Sequence, residues 1–143
     1  MAPFFFTSFL PIDMSRFSIL IQDAPYASQA ATTALHFTRA ALASGHEIRR
    51  LFFYQGGVLN ASSQLVPPQD ELHLPKAWSE LVQAHEIDAV VCVSSALRYG
   101  VLSAGEAERY DLSPSLLPGF TVGGLAQWVE AMLDSDRHLS FRS

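Results

Sequence analysis

The chain has 143 residues, of which 49% are hydrophobic and 16% are charged, and it carries a formal charge of −5 when its histidines are neutral. This length predicts one compact domain, and the apolar content excludes disorder for the body of the chain. The acidic balance, with no basic run longer than Arg49-Arg50, argues against direct binding of nucleic acid.

The cysteine and histidine content limits the chemistry further. Cys92 is the one cysteine, so an intramolecular disulfide and a CxxC pair are excluded, and a reducing, cytoplasmic compartment is expected. The five histidines show neither HxH nor HExxH spacing. We therefore expect no metal site and no cofactor.

The first thirteen residues form a separate region of the sequence. Residues 3–10 (PFFFTSFL) are apolar, but no Lys or Arg precedes them, Pro11 follows them, and they are too short to span a bilayer. We expect neither a signal peptide nor a membrane anchor. Met14 stands just before the first predicted strand, so we interpret residues 1–13 as an N-terminal extension that need not be ordered, and residues 14–143 as a single domain.

Apolar runs and helical periodicity alternate along the rest of the chain. Short apolar runs predict strands at residues 16–22, 47–54, 88–93 and 137–141. Apolar positions three and four residues apart predict long helices at 28–44, 75–84 and 120–133, and residues 105–110 predict a short one. Residues 58–69 are predicted to form a loop, and 94–99 a turn or a short helix. This alternation predicts an α/β fold with a mostly parallel sheet and helices on both faces.

Ligands of such folds bind beyond the carboxyl ends of the strands, which here directs attention to residues 23–29, 55–60 and 92–100. Tyr26 and Gln29 are candidates to line this cleft. None of the three segments contains a GxGxxG motif or a P-loop lysine, so a flavin or nucleotide site is a weakly supported alternative.

Cys92 is the candidate nucleophile, because it lies near the end of the third predicted strand and is followed by Ser94, Ser95 and Arg98. An arginine and the N–H groups of a helix start would stabilise a thiolate, and the serines could donate hydrogen bonds to a sulfur atom. A persulfide carrier needs little more than such a cysteine. The alternatives are a cysteine packed as a small hydrophobe, serines that only cap a helix, and an arginine in a surface salt bridge.

Residues 92–101 (CVSSALRYGV) resemble the signature of the DsrE/TusD proteins, in which a cysteine and small residues precede Ala-Leu-Arg-x-Gly-Val. Further segments agree in the same order across residues 14–141, among them 17–26 (FSILIQDAPY), 52–54 (FFY) and 119–121 (GFT). The chain departs from the signature at Ser94, Ser95 and Tyr99, where mostly alanines and a second arginine are expected. Arg98 is thereby left as the nearby cation.

The resemblance implies a flavodoxin-like three-layer α/β/α sandwich and a sulfurtransferase. Cys92 would accept sulfur as a persulfide from a TusA-like donor and pass it to a TusE-like acceptor in the relay that makes tRNA wobble 2-thiouridine. TusB-like and TusC-like subunits would complete a dimer of heterotrimers, and a homo-oligomer could form in isolation. Two alternatives stay open: a DsrE-type subunit of dissimilatory sulfur oxidation, and a non-catalytic structural subunit whose cysteine is buried.

Overall fold

The computed structural model describes residues 13–143, so the predicted extension, Asp13 apart, lies outside the described residues. Within this range the strands are β1 (Arg16–Ile21), β2 (Glu47–Phe53), β3 (Ala89–Cys92), β4 (Phe120–Gly123) and β5 (Arg137–Phe141). The α-helices are α1 (Ala30–Ala43), α2 (Leu74–Ala84), α3 (Val93–Tyr99), α4 (Ala104–Arg109) and α5 (Leu125–Leu133). None of these helices combines the length and the apolarity needed to cross a membrane.

The five strands form one sheet in the order β4-β3-β2-β1-β5, and every neighbouring pair is parallel. The carboxyl ends of the strands therefore lie at one edge of the sheet. The predicted α/β class and the three-layer arrangement are confirmed. The strand order differs from the 2-1-3-4-5 order of flavodoxin itself, because β1 here lies beside β5 and the next three strands are added in sequence on its other side.

The main core lies between the sheet and the layer that contains α1 and α2. Alternate side chains of the strands point into it, including Ile19, Leu51 and Val91, all fully buried. Helix α1 buries Ala31, Ala34, Leu35, Thr38 and Ala41, as its periodicity predicts. In α2, Trp78 packs edge-on against Phe53, with ring centroids 5.3 Å apart.

The opposite face of the sheet carries a smaller cluster beneath α5. It consists of Phe52 from β2, Val90 and Cys92 from β3, and Trp128 from α5, with Leu20, Tyr54 and Met132 packed against it. The side-chain alternation that sends Val91 into the main core thus turns Cys92 towards α5. This cluster, referred to below as the α5 cluster, determines the surroundings of the thiol.

The prediction of one helix over residues 120–133 is wrong for its first five residues. Phe120–Gly123 form β4, whose partners are Ala89–Cys92 at the edge of the sheet, and α5 begins only at Leu125. Gly124 has an extended backbone, with φ −105° and ψ 170°, and its N–H donates to Gln127 Oε1 at 3.0 Å. A strand followed by a capped helix therefore replaces the single helix.

Of two other segments, one differs from its prediction and the other decides between two predicted conformations. The predicted loop 58–69 begins inside a 3-10 helix, Gln55–Ala61, which is anchored because buried Asn60 donates from Nδ2 to the carbonyl groups of Asp23 and Gly57. Residues 94–99, predicted as a turn or a helix, belong to helix α3. Helix α3 starts immediately after β3, so Cys92 is at once the last residue of the strand and the N-cap of the helix.

Candidate functional site

Cys92 lies at the carboxyl edge of the sheet, as predicted, but its side chain is buried. The residue is 3% exposed and belongs to the α5 cluster, in contact with an apolar environment made by Phe52, Val90 and Trp128. Within the described residues, Sγ takes part in no hydrogen bond. Helix α5 is therefore the cover of this thiol.

A network of arginines holds α5 on the sheet. Arg50 is 7% exposed, donates from Nε to Asp88 Oδ2 at 2.8 Å, and donates from Nη1 to the carbonyl oxygen of Gln127 at 2.7 Å. Arg49 Nε lies 2.7 Å from Asp134 Oδ2 just beyond the end of α5. This hydrogen bond lowers the pKa of Asp134 and raises that of Arg49. Both ends of the cover are thus tied to β2.

The residue beside Cys92 in the sheet is a glycine. Gly123 of β4 is its partner in the parallel register, so the two residues face the same side of neighbouring strands that are about 4.8 Å apart. A Cβ built on Gly123 would overlap the side-chain amide of Gln127 and would lie 2.9 Å from Val90 Cγ1. The side-chain amide of Gln127 therefore occupies the space that a side chain at position 123 would fill.

The three predicted supporting residues, Ser94, Ser95 and Arg98, lie on α3, but their side chains have different surroundings. Ser94 is exposed. Ser95 is 2% exposed and its Oγ accepts a hydrogen bond from the N–H of Gln55 at 2.9 Å, so this hydroxyl fixes the loop after β2. Arg98 is exposed in the last turn of α3, about 9 Å along the helix axis from Cys92. Among the described residues, no hydrogen bond or ion pair joins any of the three to the thiol.

Arg98 instead lines an open polar groove of about 410 Å3 at the carboxyl edge of the sheet. Gln22 and Gln55 meet in it, with Gln22 Nε2 donating to Gln55 Oε1 at 3.3 Å. Asp23 is also in the groove, and the pKa of its carboxyl is lowered by hydrogen bonds from the Ser28 hydroxyl and from the N–H of Ser143. Within residues 13–143, Arg98 has no acidic partner, so its charge is available to the groove.

The expectation that Tyr26 and Gln29 line the same cleft is wrong. The hydroxyl of Tyr26 donates to the carbonyl of Leu72 and accepts from the N–H of Leu74, so it anchors the start of α2. Gln29 lies at the start of α1 beside a second groove between α1 and β5. Topology placed both residues at the correct edge of the sheet, but Tyr26 is engaged by the start of α2 and Gln29 lines a different groove.

Sequence reasoning missed two polar residues around the α5 cluster, Gln127 and Tyr54. Tyr54 follows β2 and packs against the α5 cluster, and Gln127 fills the space above Gly123. The signal for Gln127 was the Gly123-Gly124 pair followed by a glutamine three residues later, which indicates a helix start. In the part of the chain that the structure describes, no three His, Cys, Asp or Glu residues lie close enough to bind a metal ion.

Comparison with known proteins gives one consistent result. The model of the DsrE/DsrF-like family matches residues 15–141. A Pseudomonas aeruginosa protein named sulfurtransferase TusD homolog is 51% identical over 127 residues, which cover 88% of this chain and 96% of the relative. The sulfurtransferase TusD of Salmonella newport is 42% identical over 88% of this chain and 99% of the relative.

A third relative and one solved structure are also similar to this chain. A protein of Allochromatium vinosum that bears the name DsrE is 42% identical over 88% of this chain and 98% of its own. The crystal structure of the ychN protein from E. coli superimposes with a TM-score of 0.72 and 20% sequence identity, and it covers 90% of this chain and 100% of its own. At that identity the structural likeness concerns the fold.

Proposed function

Because this chain belongs to the DsrE/DsrF-like family, we propose that it is a sulfurtransferase that carries sulfur as a persulfide on Cys92. The observation that carries the proposal is that relatives named sulfurtransferase TusD match almost the whole chain, which holds a single cysteine at the carboxyl end of a central strand. Ligands of open α/β sheets bind at that edge.

The proposed transfer is an exchange between sulfur atoms with no net oxidation. The thiolate of Cys92 attacks the outer sulfur of a donor persulfide, and a new S–S bond forms while the S–S bond of the donor breaks. The electron pair of that bond leaves on the inner sulfur of the donor as a thiolate. In the second step an acceptor thiolate attacks the outer sulfur on Cys92, and the Cys92 thiolate is the leaving group.

Access to the thiol is the physical requirement of this proposal. Cys92 is 3% exposed in the single chain, so a protein thiol reaches it only when part of its cover moves. The cover is α5, which carries Trp128 and is tied down by Arg50 and Arg49. We therefore include in the proposal that α5 or its amino-terminal joint shifts when donor and acceptor bind.

The proposed pathway is the relay for tRNA wobble 2-thiouridine in the cytoplasm. A TusA-like protein would donate the sulfur, a TusE-like protein would accept it, and TusB-like and TusC-like subunits would assemble with this chain as a dimer of heterotrimers. The TusD names of the relatives at 51% and 42% identity support this pathway. The relative named DsrE supports the alternative of dissimilatory sulfur oxidation, which would use the same chemistry at Cys92.

The supporting roles of Arg98, Ser94 and Ser95 belong to the same proposal. Arg98 lies on the helix that Cys92 begins and pairs with no acidic group of residues 13–143, so we assign it an electrostatic role towards an anionic sulfur donor entering the groove. Ser95 would act by fixing the loop of Gln55, and Ser94 by contacting a partner from its exposed position.

Deletion of the gene in its own organism tests the pathway. Wobble 2-thiouridine in hydrolysed tRNA is expected to disappear, to return with the wild-type gene, and to stay absent with Cys92→Ser. Ser44→Ala serves as the matched control, because Ser44 is exposed at the carboxyl end of α1 and has no part in the proposed site. If 2-thiouridine persists after deletion while oxidation of stored sulfur stops, the DsrE-type pathway replaces the proposed one.

The burial of Cys92 favours one further candidate, a non-catalytic structural subunit. A cysteine at 3% exposure in an apolar cluster packs as a small hydrophobe without any reaction. In that case Cys92→Ser restores 2-thiouridine as fully as the wild-type gene does, although deletion abolishes it. The same experiment therefore separates the carrier from the structural subunit.

A further inference from the structure

The surroundings of Cys92 offer few polar groups to a bound sulfur. The α5 cluster is formed by Phe52, Val90 and Trp128 around the thiol, and a charged sulfur in such a setting is costly unless it accepts a hydrogen bond. The outer sulfur of an ionised persulfide carries the negative charge. A donor close to Cys92 is therefore required if the persulfide is to persist beneath α5.

Gln127 brings a side-chain amide next to Cys92. The absent side chain of Gly123 leaves a space on the strand beside Cys92, and Oε1 and Cδ of Gln127 occupy it, with the donor Nε2 on the same amide carbon. Gln127 Oε1 accepts from the N–H of Gly124 at 3.0 Å, so the two hydrogens on Nε2 point elsewhere. Within residues 13–143, Nε2 donates to no other group.

The backbone of Gln127 is held as firmly as its side chain. Its carbonyl oxygen accepts from Nη1 of Arg50 at 2.7 Å, and Arg50 is buried and paired with Asp88. The next residue, Trp128, is anchored in the α5 cluster, where its ring centroid lies 6.1 Å from that of Phe52. The position of the amide is thus fixed before any sulfur arrives.

From this geometry we propose that Gln127 donates a hydrogen bond from Nε2 to the outer sulfur of the Cys92 persulfide and so stabilises the sulfur-loaded state. The proposal rests on the proposed function and names the residue that holds its intermediate. Gly123 is part of the same arrangement, because any side chain at this position would displace the Gln127 amide.

The substitution Gln127→Glu separates this role from the capping of α5. A glutamate oxygen still accepts from the N–H of Gly124, so the cap survives, whereas both amide hydrogens are lost. Gln83→Glu is the matched control, because it makes the same change of charge on α2, on the other side of the sheet.

The test loads each full-length protein with sodium polysulfide and follows the persulfide by intact mass spectrometry after the donor is removed. The half-life of the persulfide in Gln127→Glu is expected to fall about tenfold, while that of Gln83→Glu matches the wild type and the thermal midpoint of Gln127→Glu stays close to the wild-type value. An unchanged half-life in folded Gln127→Glu overturns the proposal.

A measurement on the wild-type protein decides the matter if Gln127→Glu does not fold. The side-chain amide resonances of Gln127 are recorded in the thiol and persulfide forms of 15N-labelled protein. They are expected to move on loading, whereas those of Gln83 stay in place, and unmoved Gln127 resonances refute the hydrogen bond. A wild-type protein that takes up no sulfur at all contradicts the proposed function itself, which distinguishes the two failures.

Discussion

Arg50 and Asp88 form an ion pair at the edge of the α5 cluster, with Arg50 Nη2 2.6 Å from Asp88 Oδ2 and the Arg50 side chain 8% exposed. The same guanidinium holds the carbonyl oxygen of Gln127 in α5. One residue of β2 therefore connects the start of β3 to the helix that covers Cys92.

Replacing Arg50 with methionine is expected to loosen this cover. The change removes the donor of the Gln127 carbonyl and leaves the Asp88 carboxylate with Arg49 Nη1 at 3.4 Å. We expect the free energy of unfolding to fall by about 2 kcal/mol, since Asp88 keeps this partner and is partly solvated. Urea unfolding measures the loss, and the rate of Cys92 alkylation by iodoacetamide should rise. Arg39→Met, on the exposed side of α1, should change neither quantity. Equal stability of the Arg50 and Arg39 variants would show that the network does not hold α5.

The glycine beside Cys92 gives a second prediction, because a methyl group at this position has no space. Gly123→Ala would push against the Gln127 amide and Val90 Cγ1, and we expect a loss of about 1–3 kcal/mol in the free energy of unfolding. Gly124→Ser is the neighbouring control, since a Cβ there meets nothing within 4 Å and serine is a favoured N-cap. A Gly123→Ala protein as stable as the Gly124→Ser protein would contradict the packing described here.

The pH dependence of stability follows from Asp134. The hydrogen bond from Arg49 lowers the pKa of this carboxyl below its ordinary value of 3.8. The ionised, hydrogen-bonded form therefore stabilises the folded state above that value, and the stabilisation is lost as the pH falls through the lower, folded-state pKa. Asp134→Asn should be less stable than the wild type at pH 7, and the two urea midpoints should converge as the pH falls through the folded-state pKa.

The control for the acid experiment is Asp70→Asn, a change at an exposed aspartate that no hydrogen bond or ion pair ties to the described chain. Its urea midpoint should follow the wild type across the whole pH range. A gap between wild type and Asp134→Asn that persists unchanged below the folded-state pKa would mean that the Arg49 interaction does not depend on the charge of the carboxyl.

The two serines after Cys92 are expected to behave differently. Ser95→Ala leaves the partly buried N–H of Gln55 without its acceptor, at a residue that already has a positive φ of 52°. The free energy of unfolding should therefore fall by about 1 kcal/mol. Ser94→Ala removes an exposed hydroxyl and should be neutral in the same urea titration. Identical midpoints for the two variants would leave Ser95 without the structural role assigned to it.

The strands of the main core could be predicted because their apolar runs are short and end at polar residues or glycines. Residues 16–22 and 47–54 became β1 and β2 almost to the residue. The segment 120–133 failed, because Phe120 and Val122 continue the apolar pattern of α5 backwards, and only pairing with β3 makes them a strand. Sequence periodicity cannot detect pairing with a strand thirty residues away.

The position of the candidate site could be predicted from the sequence, but the residues that surround the thiol could not. That Cys92 lies at the carboxyl end of a strand follows from the Asp88–Val93 run, but the side of the sheet that its thiol faces depends on the register with β2 and β4. That register turns Cys92 under α5 and places Gly123 beside it, with Gln127 above. The serines and Arg98 follow Cys92 in sequence, yet α3 directs Ser95 to the loop after β2, Arg98 to the groove and Ser94 to the surface.

The sulfur-carrying role of Cys92 is tested most directly by its modification in the folded protein. The native protein is incubated with sodium polysulfide and its intact mass is measured, with Cys92→Ser treated in parallel. We expect an added mass of one sulfur atom in the wild type, its removal by dithiothreitol, and no addition in Cys92→Ser. A native protein that gains no sulfur, and whose thiol reacts with iodoacetamide only after unfolding, would contradict the sulfur-carrying role of Cys92.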